Sequence, residues 1–359
     1  MFDKRSRKVA LNAVPAALLV LILLIPYIAM IPTASAQATK IVIDVSHGQV
    51  GRTRRTGVYP NFQGNLTAWG YQIVEANGGI NSTILSGANM LFLGAVFAKN
   101  FTDSEVTAIA SWFNEGSKGI WVGADSDFGN GTYIIDNTNK VLAALGSKIR
   151  AEPTQVLDPV SNAAADYRVV ANVVNTDPKI AGVTTGVSKI LFHGPTILAG
   201  VKGGSWVPLE SEQLENVYWV LKTSADSIIV DTDLIAPKAH QNGQKGSYVI
   251  MAVEMLAGAK SNSKIIVSGG DPYGDYEPVF QWAYYGVQLN GPALVKNSVG
   301  WALQVENPPP PPPPPPTTTT PPPPTPTGVP EQSSMLIVAA ILVIIILVAA
   351  GLYMRRRKK

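Results

Sequence analysis

The chain has 359 residues, no cysteine, three histidines and a formal net charge of +3. The missing cysteine excludes disulfides, thiolate metal sites and cysteine nucleophiles together. The charge belongs to the two ends: the first 38 positions carry four basic residues and one acidic residue, and the last five are all basic. The remainder, 19 basic against 24 acidic side chains, has a net charge of about −5 and no electrostatic footprint for nucleic acid.

In chain order, residues 1–38 read as a targeting segment. Lys4, Arg5, Arg7 and Lys8 precede an apolar stretch, and Ala34-Ser35-Ala36 or Ala36-Gln37-Ala38 supplies a small-residue cleavage pattern. The stretch is also long enough for an uncleaved anchor. Residues 39–306 form the folded region expected outside the cell. Residues 307–334 are a Pro/Thr-rich stalk, where consecutive prolines lack amide donors and favour polyproline II at about 3.1 Å per residue. Residues 335–354 hold no charge and match one bilayer crossing, with Leu336–Tyr353 in the membrane. The basic tail 355–359 follows, and the positive-inside rule puts it in the cytoplasm. The expected architecture is single-pass in the cell membrane. Sequons at Asn65, Asn81, Asn100 and Asn130 are candidates for glycosylation on the outer side.

Within 39–306, Lys40–Val45 is a β-branched run suited to a buried parallel strand. A helix from Pro60 to Trp69 follows, then strands at Tyr71–Glu75 and Met90–Leu93. TDSE (102–105) is a capping box opening a helix with Val106, Ile109, Ala110 and Phe113 on one face. The strand GIWVGA (119–124) and a helix over Tyr133–Leu145, stopped by Gly146, complete the regular half. This alternation predicts an α/β fold with a mainly parallel sheet and flanking helices. The second half has strand-like runs at 169–174, 188–192, 217–222, 227–231, 248–253 and 264–268. Helices are expected over Val279–Tyr285 and Pro292–Leu303, with a β-rich insertion around 150–240.

Ligands of open parallel sheets bind beyond the carboxyl ends of the strands. That rule selects Ser46, His47 and Gln49 after the first strand, Asp125, Ser126 and Asp127 after the fourth, and Asp271 after the late strand, with Asp275 and Glu277 further on. Together they form a candidate ligand rim. A hydrolase would need Ser126 within hydrogen-bond reach of His47. G-x-S-x-G is absent, however, and Asp125 and Asp127 would oppose the developing oxyanion. DSDFGNG (125–131) starts like a calcium loop but lacks the third ligand and the closing Glu, so no metal and no cofactor is expected. RTRR (52–55) is either an anion-binding cluster or a solvated loop, and VFQWAYYGV (279–287) either a sugar-stacking surface or a core-facing helix.

The opening strand hhhDxSHG, the following "GY", the T-x-x-E helix and the hhhG-x-D strand resemble the class I glutamine amidotransferase-like (flavodoxin-like) fold. HGPTILAG (193–200), TSADSIIVD (223–231) and SKIIVSGGDPYGDYEP (263–278) extend the resemblance over about 41–282. It looks closest to the non-catalytic DUF4350 and GldG-type ABC-transporter auxiliary group, on an archaeal-type surface-anchored architecture. The family's catalytic cysteine would fall at Asp125 or Ser126, and its late His-x-Glu pair finds no match, so amidotransferase activity is excluded. The expectation is a non-enzymatic extracellular binding or accessory protein. Its partners would be a small molecule or glycan, envelope proteins or an ABC-type transporter; the alternative is a surface hydrolase using Ser126 and His47.

Overall fold

The computed structural model describes residues 39–129, 131–233 and 235–304. The described residues belong to one compact unit. The expected leader, stalk, Leu336–Tyr353 span, basic tail and Asn130 lie outside the described residues. Among the described residues no helix is long and apolar enough to cross a membrane.

The apolar runs become the strands of one eight-stranded sheet: β1 (Lys40–Asp44), β2 (Gln72–Ala76), β3 (Ala88–Leu93), β4 (Gly119–Gly123), β5 (Val173–Val174), β6 (Val217–Lys222), β7 (Val249–Ala257) and β8 (Ser263–Ser268). Their order is β2-β1-β3-β4-β8-β7-β6-β5. From β2 to β8 all neighbours are parallel, with Ile41 opposite Ile73, Val42 opposite Leu91, Leu91 opposite Ile120 and Ile120 opposite Ile265. From β8 outward the pairing turns antiparallel. The carboxyl ends of β1, β3, β4 and β8 therefore share one edge of the sheet.

Both faces are covered, which is why these strands read as unbroken apolar runs. The helices are α1 (Gly51–Thr56), α2 (Val58–Ala68), α3 (Ser82–Leu85), α4 (Asp103–Phe113), α5 (Gly131–Ala144), α6 (Ala181–Thr184) and α7 (Gly291–Leu303). Phe62 and Leu66 of α2 and Leu294 and Val299 of α7 pack on Ile41, Ile43, Phe92, Trp121 and Ile266. Val106, Ile109 and Phe113 of α4 and Ile135 and Val141 of α5 pack on Val42, Leu91, Ile120, Val122 and Val267 from the other side. Each fully buried Ile, Leu or Phe contributes about 1.5–3 kcal/mol. The capping box at α4 forms as expected: Thr102 accepts from the Glu105 amide, and Glu105 accepts from the Thr102 amide at 2.9 Å.

The β-rich insertion adds three small antiparallel sheets. Ile149–Ala151 pairs with Leu198–Lys202, Gln155–Leu157 with Ser227–Val230, and Arg168–Ala171 with Ile190–His193. One expectation is corrected. Val279–Tyr285 is not a helix; Ala283–Tyr284 pairs antiparallel with Val287–Gln288. The two loop residues, Tyr285 and Gly286, have φ of 41° and 78°. A tight hairpin turn demands positive φ at both positions, and a helix forbids it.

Candidate functional site

Two polar loops leave the same edge of the sheet. The loop after β1 is closed on itself. The Asp44 carboxylate accepts from the Ser46 amide at 3.0 Å, Ser46 Oγ at 2.7 Å and Gln49 Nε2 at 2.7 Å, and meets His47 Nδ1 at 2.7 Å. The His47 amide donates to Gln49 Oε1 at 3.0 Å, and its carbonyl accepts from the Phe97 and Ala98 amides. His47 is fully buried, its ring against Phe101 and its Nε2 3.4 Å from Glu105 Oε1, a contact without hydrogen-bond geometry. No hydrogen bond joins it to Ser126 among the described residues. The hydrolase pair expected from the sequence is therefore not assembled, and Ser46, His47 and Gln49 hold the loop together instead of lining an opening.

The loops after β4 and β8 behave differently. Asp125 and Ser126 line a cavity of about 330 Å³ with Phe97, Phe128, Tyr133, Gln155, His193, Gly194, Asp275 and Tyr276. Asp125 accepts from the Ser126 amide at 2.8 Å, and Ser126 Oγ accepts from the Phe128 amide at 3.3 Å. Asp275 is buried, sits at φ 61°, and its amide donates to the Gln49 carbonyl at 3.0 Å. That left-handed backbone is uncommon for a non-glycine residue. Burial first, then the charges of Asp275 and Asp271, push the Asp125 carboxyl well above its ordinary range. Burial also raises Asp275 to about 6, against the opposing pull of His193 and Arg52. Both carboxyls thus resist ionisation at one cavity wall.

Gly194 shows how closely these groups converge. A side chain there would begin 3.0 Å from Gln155 Nε2 and 3.4 Å from Ser126 Oγ. Beside it, His193 Nδ1 is bonded to Glu277, and its ring stacks on Tyr276 at 5.0 Å. Burial pushes Glu277 up, but bonds from His193 and Tyr284 and the nearby Arg168 charge bring it below its ordinary value. A second cavity of about 430 Å³ shares Phe128, Gln155, His193 and Tyr276 with the first and adds Arg52, Leu157, Tyr167, Arg168 and Glu277. Arg52, from the basic cluster after β1, lies over Tyr276 at 4.4 Å, while Arg54 pairs with Glu75 at 2.8 Å.

The remaining rim residues do not reach the cavity. Asp271 is pinned by amides of Tyr273 at 2.9 Å, Gly274 at 2.5 Å and Ala95 at 2.8 Å, and burial raises it to about 7. Asp127 is buried and accepts from the Thr232 amide at 2.9 Å and hydroxyl at 2.8 Å. Asp127, Asp231 and Asp233 bring carboxylate oxygens within 4.8 Å of one another, the one group among the described residues able to gather three metal ligands. Thr132 is bonded to Asp233, so threonine hydroxyls already occupy two of the three. Among the sequons, Asn81 and Asn100 are exposed; Asn65 is half-buried and donates to the Asn61 carbonyl at 2.8 Å.

Sequence reasoning missed His193 and Gln155 as site residues. Both come from three- or four-residue strands in the insertion, too short to show a period. Asp275 was visible only as the far end of the GGDPYGDYE loop.

No protein-family model matches the chain, and no curated protein matches it. Among solved structures, the mmIFT52 N-terminal domain is similar over 74% of this chain and 99% of its own, at 14% identity and a TM-score of 0.50. A ThuA-like protein from Bacteroides uniformis ATCC 8492 is similar over 76% of this chain and 94% of its own, at 15% identity and a TM-score of 0.41. A GMP synthase component from Thermoplasma acidophilum covers 73% and 93%, at 11% identity and a TM-score of 0.35. The likeness to the mmIFT52 domain shows a shared α/β fold and leaves activity open.

Proposed function

We propose that this chain is a membrane-anchored extracellular binding or accessory protein whose amidotransferase-like domain captures a small ligand without catalysis. The observation that carries the reading is the cavity beyond β4 and β8, where polar groups from five segments meet and Asp275, 7% exposed, has no side-chain hydrogen-bond partner among the described residues. Structural polar groups at this depth are ordinarily satisfied, as the Asp44 carboxylate after β1 is. The absent cysteine removes the amidotransferase nucleophile, and the His47 ring, fully buried against Phe101 and Glu105 with no hydrogen bond to Ser126 among the described residues, argues against a Ser126 hydrolase. The sequence-level resemblance to the DUF4350 and GldG-type group supports a place beside an ABC-type transporter or other envelope proteins. The apolar Leu336–Tyr353 run and the basic tail support single-pass anchoring with a cytoplasmic C-terminus.

The test is recovery of the native protein followed by mass spectrometry of what it carries. A small molecule released on unfolding, and lost from the Asp275→Asn variant, is the expected result. Repeated empty preparations that also fail to bind small polar compounds would refute the reading.

A further inference from the structure

We propose that the cavity beyond β4 and β8 binds an organic cation, an ammonium group seated against Asp125 and Asp275 between the rings of Phe97 and Phe128. The inference rests on the binding-protein reading and names the chemical class of its ligand.

Charge bookkeeping around the cavity leads there. Of the carboxyls near it, Glu277 is matched by His193 and by Arg168 at 3.6 Å, and Asp271 is satisfied by three amides. Arg52 extends over Tyr276 towards solvent. Asp125 and Asp275 have no ion-pair partner among the described residues. Asp275, only 7% exposed, makes no hydrogen bond to another side chain; it draws on the Tyr276 amide. Two carboxyls in one partly desolvated cavity resist ionising together, and a bound cation stabilises the ionised pair where a neutral ligand cannot.

The walls fit the same ligand. Phe97 is 39% and Phe128 70% exposed, and neither packs against another ring or cation among the described residues. Exposed phenyl faces beside carboxylates attract an ammonium group through the ring quadrupole. The volume of about 330 Å³ is at the small end of ligand sites, which suits a compact amine. At low pH protonation of Asp125 and Asp275 competes with the cation. Binding therefore strengthens as pH rises through the Asp275 titration; His193, Glu277, Arg52, Arg168 and Asp271 are the other titratable groups nearby.

The experiment is calorimetric titration of the full-length protein in detergent with choline and putrescine at pH 8 and pH 5. The neutral isostere of choline, 3,3-dimethylbutan-1-ol, is the control. The expected result is that at least one cation binds at pH 8 and about tenfold more weakly at pH 5, with no binding of the isostere. Asp275→Asn is expected to abolish binding while melting at or above the wild-type temperature, which shows that it folds. If the isostere binds as tightly as choline, the cation assignment fails and the ligand site stands. If none of the three binds to folded protein at pH 8, the cation assignment is overturned, and recovery of a native ligand separately decides whether the site survives.

Discussion

The loop after β1 and the loops after β4 and β8 leave the same edge of the sheet, carry similar polar residues and do opposite things. After β1, Asp44 accepts from Ser46 and Gln49, meets the His47 ring, and closes the loop on itself. After β4 and β8, Asp125 and Asp275 face a cavity with no ion-pair partner among the described residues, and burial raises both. The first arrangement stabilises the fold and the second costs stability. A carboxyl that faces an opening with no ion-pair partner is the more informative one, because folding alone does not account for it.

Breaking the satisfied loop should have the largest effect. Asp44→Ala strands His47, Ser46 and Gln49 together, and a loss of about 3–5 kcal/mol in urea unfolding is expected. A loss below about 1 kcal/mol would mean the network is dispensable.

A third cluster sharpens the comparison through pH. His240 lies between Glu152 and Glu210, at 2.5 Å and 3.0 Å. Burial lowers its basicity, but the two carboxylates outweigh burial and raise it to about 9. The stabilisation is fully present below the unfolded value of 6.5 and is lost as pH climbs through about 9. Unfolding between pH 6 and pH 10 should show a loss on the order of 3 kcal/mol at most, and His240→Gln should flatten it. Equal slopes for the two proteins would count against the clamp.

The cavity carboxylates should respond with the reverse sign. Asp275 titrates above its ordinary value when folded, so its penalty is full above about pH 6 and is relieved as pH falls towards 3.8. Asp275→Asn is expected to gain about 1–2 kcal/mol at pH 8 and almost nothing at pH 4. Smallest of all, Ser126→Ala should stay within about 0.5 kcal/mol of wild type. The unaltered protein should resist fluorophosphonate labelling at Ser126, and labelling there would revive the hydrolase.

Much of the scaffold was legible in the chain. Parallel strands buried on both faces leave runs such as KIVID, GIWVG and KIIVS, and the Thr102–Glu105 box marks a helix start by side-chain chemistry alone. The strand-end rule pointed to the edge where the cavity lies. It could not rank the loops, because Ser-His after β1 looks more catalytic on paper than Asp125 or Asp275, and only the folded chain shows which polar groups already have partners. His193 and Gln155 were hidden by distance in sequence, since the insertion carries them to the rim from short strands. The aromatic run at 279–287 misled because its apolar spacing suits a helix; the Tyr285-Gly286 pair, a two-residue turn, was the signal to read instead.

The most direct test is a carboxyl-carbon NMR titration of the protein labelled at aspartate, with Asp275 assigned by the Asp275→Asn variant. A midpoint near 6 is expected for Asp275, falling when an ammonium ligand is added. A midpoint below 4 in the free protein would mean that this carboxylate is already satisfied, and that the cavity is no more a binding site than the loop after β1.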